Sequence, residues 1–154
     1  MTEKHVLLVK HSWSYVAGQP DELCAVFSKK LLHLCPELKP LIKRLNKENR
    51  LPAFMMVINQ LVVALPDLLK TERHLLTLFA EYSDLEIPRD YYDSGLIAFL
   101  MALEKKLGKN WTSEMRESWI FIFSSVHQHL LRQLQLPAVL LREGPKNTSP
   151  VTIL

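Results

Sequence analysis

Six histidines (His5, His11, His33, His74, His127 and His129) and two cysteines (Cys24 and Cys35) are the side chains of this chain best suited to bind a metal or attack a substrate. Their spacing argues against concerted chemistry. His127 and His129 stand two apart in a helical pattern and face different directions, whereas histidine pairs that grip a metal stand four apart. His11, Ser12 and Ser14 are neighbours in sequence but form no nucleophile–base–orienter set, and read as residues of a helix surface. His74, within Glu72-Arg73-His74, and the run Glu104-Lys105-Lys106 read as solvated faces. The cysteines are eleven positions apart. Along one helix that is ~16 Å, against the ~7 Å between Cα atoms that a disulfide tolerates. Reduced, buried thiols of a cytoplasmic protein are therefore expected. With no paired-carboxylate or Cys/His centre, an enzyme is not expected.

The elements that must position these residues are helical. The chain has 154 residues, 48% of them hydrophobic, which suffices for one domain with a real core. Four glycines are too few for a turn-rich sandwich or a phosphate-cradling loop. The expected fold class is all-α, with about seven helices in residues 1–135 and a flexible C-terminal tail over 136–154. Leu7, Val9, Trp13 and Val16 set a first helix from Glu3 to Val16. Gly18-Gln19-Pro20 stops it, and Asp21 is the expected cap of a second, lined by Leu23, Val26, Phe27, Leu31 and Leu34. Pro36 opens a short third helix through Ile42, and Lys43–Asn49 reads as a solvated loop. Asn49 is placed to cap a fourth helix, with Pro52 in its first turn and Pro66 at its end. A fifth runs from Asp67 to Tyr82, and Ser83–Arg89 makes a corner around Pro88. A sixth carries Tyr92, Ile97, Leu100, Leu103 and Leu107 up to Gly108. Thr112 or Ser113 caps the last, whose stripe is Trp119, Ile122, Phe123, Val126 and Leu130, and the pattern dissolves from Pro137.

The formal charge is +3, with basic residues scattered rather than striped, so a nucleic-acid surface is not expected. No apolar segment, Leu61–Leu65 among them, approaches the ~18 uninterrupted residues of a membrane span. The charged start, Met1-Thr2-Glu3-Lys4, is unlike a secretory signal.

Three stretches together carry a family likeness. LVKHSW, with Trp13, resembles the first-helix signature of neuroglobin-like and cytoglobin-like chains. FSKKLLHLCPELKPLI resembles a globin second-to-third helix junction with Pro36 as fixed point, and YYDSGLIAFLMALEKKLGKNWTSEMRESW resembles the stretch joining the last two globin helices. The likeness to the globin family covers about residues 4–132. It implies a haem pocket, and the pocket positions are where this chain departs. Counting back from Tyr92, the proximal-histidine position falls on Tyr82; the haem-stacking phenylalanine is matched by Ile42; the distal-histidine position falls on about Arg50.

The departures matter chemically. Neutral imidazole offers iron a lone pair without burying net charge. A tyrosine ligates as phenolate, which from an ordinary pKa of ~10 needs a nearby cation or the ferric iron to remove the proton. His74 is eight residues before Tyr82, ~12 Å along a helix and ~80° around it, which leaves it a poor substitute. An empty haem-sized space of ~500 Å³ would cost on the order of 10 kcal/mol, so it must collapse, fill or hold a ligand. Phe54, Met55, Met56, Phe79, Phe99 and Met101 are the candidates to fill it. The resemblance thus implies a globin-fold interaction or regulatory module, without haem, acting on a protein partner. The alternative is a haem protein ligated through Tyr82 or His74 that binds or senses oxygen or another diatomic gas. The C-terminal Thr152-Ile153-Leu154 is similar to the ligands of PDZ domains, in which Thr152 and Leu154 make the contacts.

Overall fold

The computed structural model describes residues 2–68 and 89–142, and over these the chain is all-α, with no strand. Six α-helices are described: α1 (Glu3–Ser14), α2 (Pro20–Leu34), α3 (Lys39–Lys47), α4 (Arg50–Leu68), α5 (Tyr92–Leu107) and α6 (Ser113–Arg142). Short 3₁₀ turns at Pro36–Leu38, Arg89–Tyr91 and Gly108–Asn110 precede α3, α5 and α6. The expected helix through Tyr82 beyond residue 68, the corner to Pro88 and the tail from residue 143 lie outside the described residues. No helix among the described residues is long and apolar enough to cross a membrane.

The helix starts follow from local chemistry. Thr2 Oγ1 accepts the His5 N–H at 3.2 Å, and His5 Nδ1 accepts the Thr2 N–H at 3.3 Å, closing a reciprocal cap on α1. The helix ends at Ser14, two residues before the expected Val16, because the chain turns there; Val16 stays buried in the turn, its N–H bonded to the Trp13 carbonyl. Asp21 does not cap α2. Pro20 takes the first helical position, where its missing N–H is no loss, and Asp21 falls inside the first turn beside Glu22. Leu34, expected in the α2 stripe, is exposed at the helix end.

The expected loop Lys43–Asn49 is a correction of more consequence. Residues 39–47 are helical, because Leu38, Ile42 and Leu45 recur on one side and are all buried. The helical pitch then gathers basic residues that look scattered in sequence onto the opposite side. Asn49 closes α3 in the left-handed region, φ 59°, with its N–H on the Asn46 carbonyl, a conformation asparagine tolerates. It thus ends one helix immediately before the next begins. Pro66 does not end α4, which runs two residues further to Leu68. Proline removes only its own donor, and Leu61, Val62 and Leu65 bury the preceding turns. Pro137 likewise lies within α6, which continues to Arg142. Thr112, not Ser113, caps α6, its Oγ1 accepting the Met115 N–H at 3.1 Å.

Packing joins ends of the chain. The most extensive contacts are α1 with α6 and α2 with α5; α4 lies against α1, α2 and α3. Within the resulting core sit Val9, Leu23, Leu45, Leu51, Leu103 and Trp119, all fully buried.

Candidate functional site

The most densely constructed polar and aromatic feature is at the α1–α5–α6 junction. Phe99 of α5 lies 5.3 Å from Trp119 and 5.7 Å from Phe123, both edge-on, and Trp119 stacks on Phe123 at 5.5 Å. Trp13 completes the group 6.0 Å from Trp119, and Phe27 of α2 approaches Phe99 at 6.5 Å. Edge-to-face geometry sets the positive rim of one ring against the negative face of the next. Both buried indoles donate: Trp13 Nε1 to Asn59 Oδ1 at 2.8 Å, and Trp119 Nε1 to Ser12 Oγ at 2.7 Å. Ser12 Oγ in turn donates to the Val9 carbonyl at 2.9 Å.

Ser12 is therefore not a helix-surface residue as its neighbours suggest; it is 0% exposed, whereas His11 and Ser14 are exposed. The signal available in sequence was indirect: a buried tryptophan needs an acceptor, and Ser12 adjoins one of the two central tryptophans. Asn59 had no such flag. The arrangement holds elements together and offers no reactive group to solvent.

Of the expected pocket residues, Ile42 is buried, 2% exposed, on α3 with Leu38 and Leu45. Arg50 opens α4 half-buried, with Nη1 3.9 Å from Glu48 Oε1. Tyr82 and His74 lie outside the described residues, as do Thr152 and Leu154. Ile42, a saturated hydrocarbon, has no aromatic ring to stack and no lone pair, and Arg50, a permanent cation, is a donor without an acceptor. Among the expected pocket fillers, Met55 and Phe99 are buried, and Phe54 and Met101 are half-buried. Met56 is a correction: at 62% exposure it points to solvent, because α4 turns it away from the face that carries Met55. Phe79 lies outside the described residues. Phe99 is committed to the aromatic group described above.

The four described histidine side chains are placed for structural work or at the surface. His5 stacks on Phe121 at 4.5 Å, His11 meets Tyr15, His127 meets Tyr92 edge-on at 5.4 Å, and His33 is exposed. No group of three or more metal-ligating side chains occurs among the described residues. Both cysteines are free and buried. Burial, reinforced by the Asp21 carboxylate, pushes the Cys24 thiol from 9.0 up to about 12, so it is held as an unreactive thiol.

A further long-range polar contact was not legible beforehand. Tyr91, in the turn before α5, donates its hydroxyl to Glu37 Oε2 at 3.1 Å, tying that turn to the one before α3. This bond, then burial and the carboxylate charge, raises the tyrosine pKa above its ordinary value.

No protein-family model matches the chain.

Proposed function

We propose that this chain is a globin-like helical module that has given up conventional haem binding and works through its surface, as an interaction or regulatory protein of the cytoplasm rather than as an enzyme. The observation that carries the reading is the pair Ile42 and Arg50: at two positions where the family likeness asks for haem contacts stand a side chain sealed among core aliphatics and a cation beside Glu48. The third position, Tyr82, offers iron a group that must first lose a proton. A module of this kind keeps the globin-like helices as a scaffold and presents its partner contacts on their outer faces.

The test is optical. Purified protein titrated with haem is expected to give no saturable Soret band at one haem per chain. A stoichiometric band that disappears in Tyr82→Phe would overturn the proposal in favour of a phenolate-ligated haem protein that senses a diatomic gas. A stoichiometric band lost in His74→Ala would overturn it in favour of imidazole ligation.

A further inference from the structure

Helix α3 concentrates positive charge in a way no other described helix does. Its nine residues include Lys39, Lys43, Arg44 and Lys47 and no acidic residue. Lys39, Lys43 and Lys47 stand at four-residue spacing, so they share one side of the helix at roughly 6 Å intervals and span ~12 Å. All three are exposed, and among the described residues none has an ion-pair or hydrogen-bond partner. Arg44 flanks them but has a contact of its own.

We propose that the Lys39–Lys43–Lys47 stripe is a docking surface for a short acidic segment of a partner protein, with carboxylates repeating at one-turn spacing. Charge complementarity selects the occupant's sign, and the surroundings select its kind. Carboxylates bracket the stripe: Glu37 just before α3, held by Tyr91, and Glu48 just after it, beside Arg50. A long polyanion such as a nucleic-acid strand would run past both ends and meet like charge, whereas a segment of two to three turns ends before it does. An anionic membrane is disfavoured because the helix's Ile42 and Leu45 are buried in the core and its Leu41 is partly buried against it, so α3 has no exposed large apolar side chain to insert. The inference rests on the reading that the surface carries function, and it names the chemistry of the partner.

The experiment measures fluorescence anisotropy of a labelled alanine-based helical peptide bearing glutamates at four-residue spacing. A thymidine oligonucleotide of equal charge and phosphatidylserine/phosphatidylcholine vesicles serve as parallel probes. The full chain is expected to bind the peptide best, and more weakly as ionic strength rises from about 0.1 M to about 1 M and the Debye length falls from about 10 Å to about 3 Å. Replacing Lys39, Lys43 and Lys47 together by Gln, a good helix former, is expected to weaken peptide binding at least about tenfold with the circular-dichroism spectrum unchanged. A charge-matched control replaces the exposed Lys29, Lys105 and Lys109 by Gln and is expected to bind within about twofold of the unaltered chain. No peptide binding, an equal loss in the control, or tighter capture of the oligonucleotide or vesicles would each overturn the proposal. Haem titration reads the underlying proposal separately, since none of these substitutions alters a haem-position residue.

Discussion

Two hydrogen atoms show how much single residues decide here. The indole N–H of Trp119 is buried with Ser12 Oγ as its acceptor 2.7 Å away. Ser12→Ala removes the acceptor and leaves the donor without water or protein to bond, a loss of about 1–3 kcal/mol. Urea denaturation is expected to show that loss, while Ser14→Ala, at an exposed site two residues further along α1, shifts the midpoint little. The Cys24 proton has a pH signature. An unfolded chain releases it near 9.0, and the folded one holds it to about 12. Between those values the unfolded state binds fewer protons than the folded one, so stability falls as pH rises through that window. Cys24→Ala is expected to lack this component, which the difference in urea midpoints between about pH 8 and about pH 10.5 would reveal; equal pH dependence in both proteins would contradict it.

At the scale of elements, turns rather than helix interiors carry the conformational constraints. Gly108 ends α5 at φ 56° and ψ −124°, a region that side chains with a Cβ avoid, although nothing lies within 4 Å of where that atom would sit. Gly108→Ala is therefore expected to destabilise by about 1–3 kcal/mol through backbone strain alone, read as a lowered thermal midpoint. An unchanged midpoint would mean that the α5–α6 turn relaxes. Helix α3 gives the complementary case. The segment from Lys43 looks like a loop while it is scored by polarity, and becomes helix once Leu45 is allowed to join Leu38 and Ile42 in the core. The lysine stripe exists only because of that extra helix length.

The molecule as a whole is closed by partners far apart in the chain. The first helix packs on the last, the second on the one before it, and Trp13, Phe99 and Trp119 bring α1, α5 and α6 to one point. Surface ion pairs add little to this closure; Lys4–Glu114, at 2.9 Å, joins two well-exposed side chains. The two functional tests are separable at this scale. Absence of a haem spectrum together with capture of the acidic peptide is the expected combination. Capture accompanied by stoichiometric haem would leave the stripe standing and overturn the proposal that conventional haem binding is lost.

Periodicity in the sequence determined the helical class, the α5 boundary at Gly108 and most of the core, because a helix that must bury one side repeats its apolar residues every three to four positions. Only the tertiary structure decided that Ser12 is an interior acceptor, that Glu37 holds Tyr91, and that Met56 faces solvent. The physical reason is that these depend on which element lies opposite: a repeat identifies the buried side of a helix, but a hydrogen bond spanning 107 positions of the chain is fixed only when two helices meet.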